Sequence, residues 1–363
     1  MSPSAWYGDI SHQAPETTRP SREVETGPDE ILGGQLKAYT RSEYGSPDVL
    51  RLEEVPTPTP QNGEILVRVH AASVNMADVD YLMGRPKMAR AITGLRRPRN
   101  PVLGLDLAGV VMAVGDRVSG FKPGDEVFGD LTDFGFGAFA EFACAPEAAF
   151  AHKPKGLTFE QAAAVPQAAV MAAQGLLKPR PVRPGEQVLI NGAGGNIGPF
   201  AVQIAKHLGA EVTGVDAPEK MDFIRSLGAD HVIDYTVDDF TANASQYDRV
   251  LDVASHHTIS EARRVLRPGG AYLIVPGSIA GTLRAMVAGP LVSILGSRSV
   301  RMVAWKPFRA QDVAFLTDLL EKRQLRSVID RIYDFQNIPE ALKYQAEGKA
   351  TGKIVISLTT LPD

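Results

Sequence analysis

The chain has 363 residues, with 38 lysines and arginines against 42 aspartates and glutamates, a formal net charge of −4. That balance supplies no basic field for nucleic acid, and 44% hydrophobic with 22% charged residues is ordinary for a folded chain of about two domains. A single cysteine, Cys144, excludes an internal disulfide and any cysteine-rich metal site.

Residues 1–35 are rich in Ser, Thr, Pro and Glu, carry little periodic apolar content, and are expected to be disordered. Asp9, Glu16, Glu23, Glu25, Asp29 and Glu30 stand there against Arg19 and Arg22. That balance argues against a transit peptide, and no apolar signal core is present, so a cytoplasmic location is expected. From Leu36 to about Lys155 short strands alternate with turn signals: Ile65–Val69, Gly109–Val114, and the turn Phe121–Asp125 leading into Glu126–Gly129. This spacing predicts a small β-rich barrel. The run Arg96-Arg97-Pro98-Arg99 reads as a solvated loop rather than a phosphate site. Cys144 follows Phe142-Ala143 in a strand-like run and reads as a packed thiol. The best candidate for a membrane span, Ala162–Leu177, is broken by Pro166, Gln167, Gln174 and Gly175, so none is expected.

The run Val188-Leu189-Ile190-Asn191-Gly192-Ala193-Gly194-Gly195-Asn196-Ile197-Gly198 is a short apolar strand feeding a glycine-rich turn, followed by an apolar helix over Pro199–Leu208. Such a unit holds a dinucleotide pyrophosphate: glycines admit the phosphates, and the helix N-terminus offers N–H groups and a positive dipole end. The second strand, Glu211–Val215, ends in Asp216, 18 positions past Gly198 and at the distance expected of a carboxylate that accepts from the adenosine ribose. A helical stretch Glu219–Leu227 closed by Gly228, then His231–Asp234, Tyr247–Val253, a helix to Leu266, the turn Arg267-Pro268-Gly269-Gly270 and the strand Ala271–Val275 continue the alternation. Strands alternating with helices predict a doubly wound parallel sheet, an α/β fold. Gly277–Lys306 is long and apolar, with Leu283, Met286, Val287, Leu291, Val292 and Leu295 at roughly helical spacing; it reads equally as pocket, interface or core.

Leu36-Lys37-Ala38-Tyr39, Gly63–Val69, Ala71–Asn75, Gly109–Gly115, Phe121–Val127 and Gly137–Phe142 together resemble the medium-chain dehydrogenase/reductase superfamily, and within it the zinc-independent quinone oxidoreductase-like branch. Ala162–Pro166, Leu227–Tyr235 and Gly352–Ile356 extend the likeness over about Leu36–Leu358. The resemblance implies a GroES-like β-rich barrel formed by residues 36–159 and 301–363, with a Rossmann nucleotide-binding domain, 160–300, inserted between them. Cofactor and substrate are then expected in the cleft between the domains. It also gives the candidate cofactor-binding set: Gly192, Gly194, Gly195, Asn196, Ile197, Gly198, Asp216, Lys220, Tyr235, Val253, Val275, Gly277 and Lys353.

Zinc-dependent relatives bring a cysteine near Met76 and a histidine–acid pair just after Gly104, where this chain has Leu105-Asp106. Zinc needs three or four thiolate, imidazole or carboxylate ligands, and adjacent His256-His257 point apart, so no bound metal is expected. Without zinc, hydride acceptors are limited to quinones, conjugated enones or activated carbonyls polarised by hydrogen-bond donors. The candidate catalytic residues are Asn75, matching the branch's asparagine near the nicotinamide, Asp78 and Tyr81, with Phe134, Phe136 and Trp305 as a candidate apolar wall. The proton-donating tyrosine of enoyl-thioester reductase relatives would fall near Pro86, so Tyr81 does not match it.

The chain departs from the branch at Asn196, where a second glycine is usual, at Met171, where a threonine is usual, and at Ser255, where a glycine is usual. A fourth departure bears on the cofactor. Many relatives prefer NADPH, but Asp216 would repel a 2′-phosphate and accept from a free hydroxyl, unless Lys220 turns inward to offset it; NAD(H) is therefore favoured slightly over NADP(H). A homodimer pairing Ala271–Val275 across a two-fold axis is expected by analogy. Two other functions stay open: a member of this fold recruited to a non-redox or cofactor-binding role, and an alcohol or carbonyl dehydrogenase.

Overall fold

A computed structural model describes residues 33–242, 246–254, 256–275 and 297–358. The expectations placed on residues 1–32, on Ser255, on Gly277 and on Leu283–Leu295 therefore lie outside the described residues. The chain is already in strand at Gln35, next to the expected start at Leu36.

Two sheets carry the fold. β1 (Gln35–Thr40) pairs antiparallel with β2 (Arg51–Pro56) as a separate ribbon. The first main sheet is built around β3 (Glu64–Val74), buried along nearly its whole length as a central strand must be. β3 pairs with β4 (Asp106–Val114) on one side; on the other it pairs with β6 (Phe142–Pro146) through its first half and with β15 (Lys353–Ser357) through its second. β5 (Glu126–Asp130) and β7 (Phe150–His152) continue beyond β4, and β14 (Ile329–Asp334) lies beyond β15. The late strands β14 and β15 thus join the sheet that β3 to β7 form.

The second sheet is parallel throughout, in the order β10 (His231–Asp234), β9 (Glu211–Asp216), β8 (Gln187–Asn191), β11 (Tyr247–Asp252), β12 (Leu266–Ile274), β13 (Ser299–Met302). From β8 the chain winds outward through β9 and β10, then returns to β11 beside β8 and winds the other way. That reversal leaves a crevice at the carboxyl ends of β8 and β11, where open α/β sheets bind ligands.

Two expectations are corrected here. Ala271–Val275 is not the sheet edge: β12 is flanked on both sides, and β13 is the outer strand among the described residues. A two-fold contact continuing the sheet would therefore run through Ser299–Met302. The parallel sheet also takes in Arg301 and Met302, beyond the expected boundary at residue 300. The helix Ala310–Glu321 packs on the helix Pro166–Leu177 in the same core, so the nucleotide-binding side extends past β13. That core holds the helix Pro166–Leu177 buried on nearly every face, its alanines letting the helix Gly198–His207 approach closely.

Candidate active site

A cavity of about 400 Å³ lies at the β8/β11 crevice, between the two domains. The nucleotide-binding side contributes Gly192, Gly195, Asn196, Ile197, Asp216, Lys220, Val253 and Val275; the barrel side contributes Asn75, Met76, Asp80, Gln345 and Ala350. Gln167 and Met171, from the helix that joins them, also line it.

The glycine-rich turn has the shape the sequence demands. Gly192 leaves β8 at φ +82°, a left-handed conformation that glycine adopts freely. A Cβ at Gly198 would stand 2.3 Å from the carbonyl oxygens of both Gly192 and Ala193, so only glycine lets the helix start this close to the turn. At Gly195 an added Cβ would meet nothing nearer than the Gly192 carbonyl, at 3.6 Å, and would stand in the cavity. This cradle, open where a side chain would block it and set at a helix N-terminus, fits a dinucleotide pyrophosphate.

Asp216 closes the turn from the next strand. Its Oδ2 accepts from Gly194 N at 2.8 Å, its Oδ1 accepts from Ala217 N at 2.9 Å, and Lys220 Nζ stands 3.7 Å away. Lys220 is buried, but its Nζ is engaged across the cleft, donating to the Ala350 carbonyl of the opposite domain at 2.9 Å. Asn196, where a glycine is usual, also reaches across, its Nδ2 donating to Gln345 Oε1 at 3.1 Å.

The barrel wall is backed by a buried polar cluster. Asn75 is the last residue before the helix Met76–Met83, and Asp78, three residues on, accepts from Asn75 N at 2.8 Å. Asn75 Oδ1 accepts from Lys353 Nζ at 2.5 Å, and Asn75 Nδ2 donates to Asp106 Oδ2 at 3.0 Å. Asp106 also accepts from Ser73 Oγ at 3.1 Å and from Gln167 N at 3.2 Å, with Lys353 Nζ at 3.7 Å. Asp78, Asp106, Asp130 and Lys353 are all fully buried. Burial pushes the Asp78 carboxyl up to about 8 and the Asp130 carboxyl up to about 7. It also raises Asp106 and lowers the Lys353 ammonium, while the attraction between those two opposes both shifts.

The candidate residues therefore separate. Asn75, Gly192, Gly195, Asn196, Ile197, Asp216, Lys220, Val253 and Val275 come together around the cavity. Gly194 and Gly198 shape the turn behind it. Asp78 and Tyr81 are not in the wall: Asp78 caps the helix from beneath, and the Tyr81 ring packs on Phe136 at 4.8 Å between centroids, its hydroxyl raised by burial and then by Asp78. Lys353 is sealed behind Asn75 rather than facing the cofactor. Tyr235 is 60% exposed just beyond β10, and Phe134, Phe136 and Trp305 also lie away from the described lining. The Cys144 thiol is pushed up to about 12, first by burial and then by Glu64, which suits a packed thiol and not a nucleophile. Gln167, Gln345, His256 and Ala254 line the cavity without having been named as site residues from the sequence. For Asp78 a signal was available: Asn-x-x-Asp at a helix start is the spacing of a capping box.

Residues 61–155 match the family profile described as an alcohol dehydrogenase GroES-like domain, and residues 227–356 match one described as a zinc-binding dehydrogenase. The 2-methylene-furan-3-one reductase of Solanum lycopersicum is 31% identical over 344 residues, 92% of this chain and 82% of that protein. The chloroplastic NADPH-dependent alkenal/one oxidoreductase of Arabidopsis thaliana is 30% identical over 348 residues, 93% of this chain and 83% of that protein. The structure of the quinone oxidoreductase from Coxiella burnetii superposes with a TM-score of 0.79 at 28% identity, covering 90% of this chain and all of that one.

Proposed function

The chain belongs to the medium-chain dehydrogenase/reductase superfamily, in its quinone oxidoreductase-like branch, and is an NAD(P)H-dependent oxidoreductase; we propose that it prefers NADH, works without zinc, and passes hydride to a quinone or conjugated enone. The observation that carries this reading is the placement of Asn75 across the cleft from the Gly192–Gly198 turn, in one cavity. When bound, the nicotinamide supplies the hydride. The protein's own residues bind and orient: the turn and the following helix N-terminus receive the pyrophosphate, and Val253 and Val275, at the ends of β11 and β12, give apolar walls that exclude water.

The preference for NADH rests on Asp216 and Lys220. The Lys220 cation is held by the Asp216 carboxylate and the Ala350 carbonyl, so it is not left to pair with a 2′-phosphate, while Asp216 still offers a free ribose hydroxyl an acceptor. Zinc independence rests on the donor set. Met76 and Leu105 have no ligand atom suited to zinc, and Asp106 already takes three donors beside a lysine. Among the described residues no group of three or more His, Cys, Asp or Glu could hold a metal. A carbonyl oxygen must then be polarised by N–H donors, which suits acceptors that already take hydride readily. A two-fold dimer is proposed by sheet continuation through β13, the outer strand among the described residues, to be checked by light scattering.

The test follows loss of nicotinamide absorbance with a panel of quinones, enones and simple aldehydes. Quinone or enone turnover well above aldehyde turnover is expected. Faster turnover of simple aldehydes would favour the alcohol or carbonyl dehydrogenase reading, and cofactor binding with no turnover would favour a non-redox role.

A further inference from the structure

We propose that Lys353 is a positioning residue: together with Asp106 it fixes the side-chain amide of Asn75 so that the remaining Asn75 N–H faces the cleft as a donor to a quinone or enone oxygen. The proposal deepens the functional reading above and rests on it for the identity of the acceptor.

Strand register brings these groups together. In β3, Ser73 lies opposite Asp106 of β4, and Val74 lies opposite Ile354 of β15, so the next pair outward sets Asn75 beside Lys353. The amide is therefore gripped from both flanks of its own strand. Lys353 offers only donors, and it takes Oδ1. Asp106 accepts one hydrogen of Nδ2. Rotating the amide by half a turn would set two acceptors together at Asp106 and two donors together at Lys353, losing both bonds and adding repulsion at each end. The orientation rests on the charged pair, since a neutral amine could accept and a protonated carboxyl could donate.

Asp78 and Asp130 are the other titratable groups around the lysine, and each attracts its ammonium when ionised. Nδ2 has two hydrogens and Asp106 uses one. Asn75 lines the cavity at 3% exposure, so the hydrogen left over is presented there with little competition from water. Asp106 holds Gln167 N as well, so the same carboxylate anchors two residues of the lining from different segments. A buried lysine with no surface of its own thus decides whether the cleft meets a donor or an acceptor.

The test uses the full-length protein with Lys353→Met, Asn75→Ala, the Lys353→Met/Asn75→Ala double variant, and the charge-balanced Asp106→Asn/Lys353→Met variant. The last guards against a fold lost to an unpaired buried carboxylate, and thermal melts confirm folding. Lys353→Met should lower kcat for quinone or enone about tenfold, below the 10²–10³ that removing a transition-state donor outright costs, with KM nearly unchanged. In the Asn75→Ala background the same substitution should change kcat less than about twofold, because the group it positions is gone. A second readout needs no turnover. In protein labelled with 15N at asparagine, the Asn75 side-chain resonance, identified by its loss in Asn75→Ala, should show slow hydrogen exchange that accelerates at least tenfold in Lys353→Met and in the charge-balanced variant. If the wild-type protein reduces no quinone or enone, the functional reading fails, and this resonance still decides the positioning role. The proposal is overturned if Lys353→Met leaves the resonance unaltered, or if its effect on kcat is as large without Asn75 as with it.

Discussion

Asp216→Asn separates the two cofactor readings most sharply. Asparagine keeps the shape of the side chain and one of its two acceptors: its Oδ1 can take the place of the oxygen that accepts from Gly194 N at 2.8 Å, while its Nδ2 replaces the oxygen that accepts from Ala217 N at 2.9 Å, so that second bond is lost. The loss of the Ala217 bond falls on both dinucleotides alike; what separates them is charge. Asp216 Oδ1 and Lys220 Nζ are 3.7 Å apart with 12% and 6% of their side chains exposed. At an effective dielectric near 20, charges at that separation interact by about 4.5 kcal/mol, an upper limit on what neutralising the carboxylate can return to an anion in the same site. Desolvation of the released lysine takes back part of it, and each 1.4 kcal/mol that survives is about tenfold in affinity. NADPH should therefore bind Asp216→Asn 10- to 100-fold more tightly than it binds the wild-type protein, by the same arithmetic. NADH should bind about fivefold more weakly, since a ribose hydroxyl exchanges a charged acceptor for a neutral one. Fluorescence titration of both dinucleotides against both proteins gives the four dissociation constants. Tenfold tighter binding of NADPH than NADH by the wild-type protein, or an unchanged ratio in Asp216→Asn, would refute the reasoning.

Gly198→Ala forces a methyl to 2.3 Å from two backbone carbonyl oxygens; it should cost about 2 kcal/mol, seen as a melting temperature lower by a few degrees, and weaken either dinucleotide at least about tenfold. Asp78 is held at about 8 against an ordinary 3.8, so the folded chain binds more protons than the unfolded one between those values. Its contribution is fully present below about pH 4 and is lost as pH rises through about 8. Asp78→Asn should remove that slope, and calorimetry should find its melting temperature gaining on the wild type from pH 5 to pH 9; a difference independent of pH would show that Asp78 is ionised in the fold. Purified protein should carry no stoichiometric zinc by metal analysis, and a chelator should leave turnover unaltered.

The nucleotide-binding half was legible because its signals are local. β8, the glycine turn and the following helix are contiguous, and the strand ending in Asp216 follows directly. Short-range patterns also placed β9, β10 and β11 to within a residue. The misplaced features depend on pairing between distant segments. Whether β12 is an edge is decided by β13, whose four residues give little periodicity to read. The grip on Asn75 comes from residues 31 and 278 positions away, and a motif match cannot distinguish Lys353 facing a cofactor from Lys353 sealed behind an asparagine. Tyr81 lies on the same short helix as Asp80, one position on, and therefore on a different face, toward Phe136 rather than the cavity.

Asn196 changes meaning once its partner is known. In sequence it is a side chain intruding where the pyrophosphate needs bare backbone. In the fold the amide is directed to Gln345, while the open side of the turn remains at Gly195. Lys220 behaves alike: a cation expected to meet the cofactor reaches Ala350. Each contact joins the nucleotide-binding side to the segment just before β15, and Asp106 joins the barrel to the helix that leads into the nucleotide-binding side. The cleft is thus tied on both flanks by hydrogen bonds that need no ligand. Some of the ordering that a mobile pair of domains would undergo on binding is already present, and orienting a hydride acceptor against a cofactor depends on such pre-formed geometry. The departure at Asn196 therefore acts on the spacing of the two walls and leaves the phosphate cradle intact.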